Sequence, residues 1–106
     1  MTLPPPIQTY FTALAPQDGA VFAAAFAPDA VVHDEGNLHH GPEQIRAWWL
    51  GAKAKYRHTA LPLELSEVAD GAVVRAQVSG DFPGSPAVLT FTFGLSGDRI
   101  STLRIG

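Results

Sequence analysis

The sequence predicts an α+β domain in which a cone-shaped, curved antiparallel sheet wraps around three N-terminal helices and encloses a pocket. Three observations predict it. Apolar residues recur at helical spacing in the first half of the chain. From His58 onward the period changes to two. Short clusters rich in Gly, Asp and Pro then break the second half into strands that run as a meander.

The elements follow in order. Met1 to Pro6 reads as a flexible proline leader. Ile7, Tyr10, Phe11 and Leu14 recur at i, i+3, i+4 and i+7, the stripe of an amphipathic helix that Pro16 ends. Asp18 is a good N-cap for a second helix, on which Val21, Phe22, Ala25 and Phe26 share a face. Ala27-Pro28 stops that helix, because a residue before proline is pushed out of the α region. Ala30 to Asp34 reads as a brief strand bounded by Glu35-Gly36-Asn37. Pro42 opens a third helix that runs to about Tyr56, with Gln44 placed to reach back and cap its start. Ile45, Trp48, Trp49 and Ala52 make its buried side. Lys53, Lys55 and Arg57 gather at its C-terminal end, where the helix dipole favours cations, and read as a solvated helix end.

In the second half, Thr59, Leu61, Leu63 and Leu65 alternate with polar or small residues, and Pro62 marks an edge strand. Asp70-Gly71 is a hairpin signal, after which Val74, Ala76 and Val78 alternate with polar residues. A Gly/Pro loop from Gly80 to Pro86 contains Asp81, most simply a turn residue. In the strand from Ala87 to Leu95, Leu89, Phe91 and Phe93 share one face while Val88, Thr90 and Thr92 share the other. Ser96-Gly97-Asp98 leads into a last strand, Arg99 to Ile105.

Composition narrows the function classes. At 106 residues the chain is one domain, 1–106. Hydrophobic residues make up 46% and charged residues 16%, the balance of an ordered globule. Seven basic against ten acidic residues give a net charge of -3, with no basic stripe interleaved with aromatics, so nucleic acid is not an expected partner. No cysteine is present, which excludes disulfides, thiol nucleophiles and thiolate metal sites. With neither a signal-like N-terminus nor a membrane-length apolar run, a soluble cytoplasmic protein with no membrane partner is the expectation.

Most of the chemically useful residues lie in or beside Phe26 to Trp49. Asp34 ends a strand where the chain turns toward the helix that carries both tryptophans, which hangs one acid over an apolar pocket. It has two readings: a general base whose pKa an apolar cavity raises, or an anchor for the Glu35-Gly36 turn. Tyr10 is either a hydrogen-bond donor to a ligand or stripe core. His33, Asp34, His39 and His40 invite a metal reading, but His33 and Asp34 are strand neighbours that point to opposite faces, and nothing in the spacing makes His39 and His40 converge. No metal and no cofactor is expected, and His40 is retained as a loop histidine at the pocket mouth.

Phe26 to Asp34, His40-Gly41-Pro42-Glu43-Gln44-Ile45, Trp48-Trp49 and the closing Ser96-Gly97-Asp98-Arg99-Ile100 together resemble the nuclear transport factor two-like superfamily, in its SnoaL-like and ketosteroid-isomerase-like branch. The resemblance spans nearly the whole chain. It implies that Asp34 falls where the isomerases keep their proton-shuttling carboxylate, Tyr10 at their oxyanion-hole tyrosine, and Trp49 at a supporting tyrosine. Thr90 falls at a second, protonated acid, and a threonine hydroxyl lacks that acid's strength. The implied function is an isomerase or cyclase that moves a proton α to a carbonyl in a small apolar molecule, with Asp34 and Tyr10 catalytic and Trp48, Trp49, Thr90 and His40 at the pocket. The rivals are a non-catalytic ligand-binding or dimerisation module and a water-activating hydrolase or dehydratase. A homodimer is expected, paired through the Leu89, Phe91 and Phe93 face.

Overall fold

The computed structural model describes residues 1–106. Helix α1 spans Pro5–Thr12, a 3₁₀ turn spans Pro16–Asp18, α2 spans Gly19–Ala24 and α3 spans Gly41–Tyr56. The strands are β1 Phe26–Asp34, β2 Asn37–His40, β3 Thr59–Val68, β4 Gly71–Ser79, β5 Ala87–Ser96 and β6 Arg99–Ile105. They form one six-stranded sheet in the order β2-β1-β6-β5-β4-β3, with β3 at an edge as Pro62 indicates. Every neighbouring pair is antiparallel except β1 and β6, which run parallel. The long excursion between them through α3 and four strands makes a parallel return possible.

Several local differences from expectation appear: the stretch Asn37 to His40, read as loop, is strand β2, paired with β1, and others have physical causes. Pro5 and Pro6 belong to the first turn of α1 rather than to a leader, since a fixed φ and a missing N–H suit that position. Asp18 turns backward: its Oδ2 accepts the amides of Leu14 and Ala15 at 3.1 Å each, which closes the start of the 3₁₀ turn and leaves α2 without a side-chain cap. Strand β1 begins at Phe26, four residues early, because Pro28 and Asp29 are accommodated in an irregularity between Phe26 and Val31 where β1 meets β6. Such a bulge tolerates a residue without an N–H.

The helices pack on one face of the sheet. Val32, Val74, Phe91, Phe93, Ile100 and Leu103 meet Ile7, Tyr10, Phe11, Phe22, Ile45 and Trp49 in a single core. Further irregularities at Pro62/Glu64 and Gly94/Leu95 bend the sheet around them. The β3–β4 hairpin turns at Ala69 and Asp70, one residue before the expected pair. Gly71 instead starts β4, where an added Cβ would overlap the carbonyl oxygen of Phe93.

Phe91 and Phe93 are 4% and 2% exposed, so the apolar stripe expected to pair with a second copy is core. Tyr10 stands edge-on to both rings, at 5.9 and 5.4 Å between centroids. The opposite face carries Thr90 and Val88, which neighbour Arg75 and Gln77 of β4.

Candidate functional site

Between the helices and the inner face of the sheet lies a mostly apolar cavity of about 560 Å³, within the range of small-molecule sites. Tyr10, Asp34, Trp48 and Trp49 all line it. Strand parity explains Asp34: Val32 is fully buried, and Asp34, two residues on, shares its inward face while His33 takes the other. Glu35 and Gly36 both adopt positive φ, 51° and 77°, in a two-residue link between Asp34 and its partner Asn37. The Asp34 Oδ2 accepts the Trp48 Nε1–H at 3.1 Å, and the His39 ring stacks on Trp48 at 5.5 Å.

Burial raises the Asp34 pKa above the ordinary carboxylate value, opposed by the Trp48 hydrogen bond. The Glu35 charge adds to the rise, while the His39 charge and the Glu35 backbone amide, which donates to the carboxylate, counter it. Tyr10 is only 8% exposed, and its phenol is pushed far up, first by burial and then by the negative charge of Asp34. It therefore stays a neutral O–H donor. No buried side-chain oxygen or nitrogen lacks a partner, so the Tyr10 hydroxyl, which bonds to nothing else in the chain, is open to the cavity. Trp49 stacks on Phe22 at 4.5 Å and 15° and gives the cavity a fixed aromatic wall.

Two of the sequence-derived pocket residues lie elsewhere. Thr90 is on the outer face of β5, because its neighbours Leu89 and Phe91 point inward and line the cavity. His40 is exposed at the end of β2, where its backbone amide donates to Gln44 Oε1 at 2.8 Å, the cap expected at the start of α3. Nowhere do three His, Cys, Asp or Glu side chains gather in a group that could hold a metal ion.

Glu35, Lys53, Tyr56 and His58 also line the cavity and are absent from the sequence-derived site, Lys53 because the sequence presents it as part of a solvated helix end. Lys53 Nζ donates to the His58 carbonyl oxygen and lies 5.6 Å from the centre of the Trp49 ring. Burial lowers its pKa. The signal was present in the spacing, because Lys53 is four residues after Trp49 and shares its helix face. For His58, at the junction of α3 and β3, periodicity gives no signal.

Burial, then the Lys53 charge, depress the His58 pKa from 6.5 to about 4. The folded protein thus declines a proton that the unfolded chain accepts. Stability should be full above pH 6.5 and fall as pH drops through the interval down to about 4. Since the ring is half exposed, the expected loss is discounted to about 1 to 2 kcal/mol. Urea melts across that interval check it: His58→Gln should flatten the slope by this share, and an unchanged slope would refute the assignment.

A family model described as a SnoaL-like domain matches residues 7–102. The chain belongs to the SnoaL-like family. Among solved structures, this SnoaL-like chain is similar to a candidate polyketide cyclase of Sinorhizobium meliloti, with 45% identity, a TM-score of 0.93, and coverage of 98% of this chain and 95% of that one. A ketosteroid isomerase-like-fold protein of Catenulispora acidiphila, in complex with trimethylamine, gives 19% identity and a TM-score of 0.85 over 99% of this chain and 86% of that one. A Mycobacterium tuberculosis protein gives 20% identity and a TM-score of 0.81 over 99% and 92%. The last two likenesses concern the fold alone. No curated protein matches the sequence. In this SnoaL-like domain no helix is long and apolar enough to cross a membrane.

Proposed function

We propose that this SnoaL-like domain is a cofactor-independent isomerase or cyclase acting on a small, mostly apolar carbonyl compound. The observation that carries the reading is that the Asp34 carboxylate and the Tyr10 hydroxyl open on one apolar cavity. Asp34 removes a proton α to the carbonyl: the C–H bond breaks, the proton goes to the carboxylate, and the electron pair moves onto the carbonyl oxygen. Tyr10 donates a hydrogen bond to that enolate oxygen. Trp48 occupies one carboxylate oxygen and leaves the other as the base. The carboxylic acid then returns the proton to another carbon, or the enolate carbon attacks a second carbonyl in a ring closure. The similarity to the Sinorhizobium protein supports the cyclase form.

The test is deuterium exchange from solvent into a panel of cyclic ketones and β-keto esters. Exchange that vanishes in both Asp34→Asn and Tyr10→Phe supports the reading, and exchange that persists in Asp34→Asn ends it.

We also propose that the domain pairs with a second copy. With the Leu89, Phe91 and Phe93 stripe buried inside, the surface concerned is the outer sheet face. There Leu61 and Val88, 62% and 47% exposed, flank Gln77. Sedimentation at micromolar concentration should find a dimer; a monomer throughout would refute it.

A further inference from the structure

The polar lining of the cavity includes two pairs: Asp34 with Tyr10, whose phenol feels the Asp34 charge, and Lys53 with His58, which are hydrogen-bonded. Trp48, which holds Asp34, and Lys53 are five residues apart on α3, a rise of about 7.5 Å along the helix. Lys53 Nζ bonds to the carbonyl oxygen of His58, which lies beyond the C-terminal end of α3, the end away from Trp48.

Lys53 is a half-buried cation without a counter-ion. The ion pairs of the chain are Arg57 with Asp81 and Arg75 with Glu64, and no carboxylate lies within 4.0 Å of the Lys53 ammonium. Of its three N–H donors, one is used by the His58 carbonyl. The Trp49 face lies beside it. The His58 imidazole makes no hydrogen bond within the chain and, with no buried polar atom unpartnered, is open to the same space. A desolvated ammonium with donors to spare, at the wall of an apolar cavity, costs stability unless something charged completes it.

We propose that Lys53 and His58 form a carboxylate subsite, so that the ligand is a small keto acid whose apolar body lies along the tryptophans, with its carbonyl at Asp34 and Tyr10. Besides His58, the titratable groups that share the cavity wall with Lys53 are Asp34, Glu35, Tyr10 and Tyr56. The carboxylates of Asp34 and Glu35 repel a second anion and so fix the orientation of the acid. His58, neutral near physiological pH, acts there as a hydrogen-bonding group and leaves the charge to Lys53. The assignment rests on reading the cavity as a substrate site, but not on proton transfer by Asp34.

The test uses δ-benzoylvalerate, a phenyl ketone with a carboxylate four methylenes away, and its methyl ester. Binding is followed by calorimetry and by tryptophan fluorescence, near neutral pH and at low salt. Wild type should bind the acid roughly tenfold or more tighter than the ester, the share of one charge-assisted hydrogen bond. Lys53→Met, which keeps the apolar stem, should erase that preference by bringing the affinity of the acid down to that of the ester, and Lys53→Arg should restore part of it. Thermal melts of each variant establish that it is folded. An acid that binds no better than its ester, including no binding of either up to millimolar concentration, overturns the proposal, as does a preference that survives Lys53→Met. Deuterium exchange separates the two readings. Lys53-dependent binding of the acid without deuterium exchange in wild type would remove proton transfer and leave the subsite. Exchange on neutral ketones without any acid preference would do the reverse.

Discussion

Asp34→Asn should slow proton exchange by roughly a hundredfold to ten-thousandfold, the usual share of a general base, while leaving thermal stability unchanged or raised. The two halves of this expectation have one cause. The carboxylate sits half buried at the wall of an apolar cavity, where desolvation raises its pKa, so its ionised form is disfavoured by folding. A raised folded-state pKa means that stability is greatest below the unfolded value and declines as pH rises through the folded one. Asparagine removes the charge but keeps an oxygen that can accept the Trp48 Nε1–H. The basic lone pair is lost and the packing is kept. By the same sign, wild-type exchange should fade on the acid side with a midpoint above 3.8, where protonation silences the base. Were Asp34 an anchor of its turn, the substitution would cost roughly 1 to 3 kcal/mol and leave any exchange alone. A lowered melting temperature with no exchange by wild type would therefore count against the enzyme.

The order of elements was legible because each long one shows its period. The stripes of α1 and α3 and the alternation of β4 and β5 decide helix or strand locally, and the Pro, Gly and Asp clusters mark where each stops. What the sequence could not give is which face an element turns to which partner. Leu89, Phe91 and Phe93 form a stripe in either case; only the docking of Tyr10 and Phe11 on Phe91 and Phe93 makes it the inside. The same choice puts Thr90 outside. Asp34 and Tyr10 were placed by resemblance, and strand parity with the helix stripe agrees with their lining one cavity. Lys53 was missed because a cation in a last helical turn has a sufficient local explanation in the dipole. That explanation hides the fact that the residue also shares the tryptophan face. Pro28 misled for a related reason: it ends helices in general, but here it occupies a bulge in β1.

The substitution with the largest expected effect on stability is Phe22→Ala. Phe22 is fully buried and touches every layer that builds the site: it stacks on Trp49 at 4.5 Å, meets Tyr10 at 5.2 Å and Phe26 at 5.3 Å. Removing the ring loses its transfer free energy and leaves a void that α2, only six residues long, has little means to fill. The expected cost is about 3 to 5 kcal/mol. A domain of this size has about 5 to 15 kcal/mol in all, so the melting temperature should fall by about 15 °C or more. Val21, next to it on the same helix but 61% exposed, is the control: Val21→Ala should stay within about 0.5 kcal/mol. The void also frees Trp49, the aromatic wall of the cavity. Ligand affinity should therefore drop in Phe22→Ala at temperatures where the variant is still folded, with tryptophan emission shifted to the red. A loss below about 1 kcal/mol, equal to that of Val21→Ala, would mean that α2 does not hold the helices against the sheet.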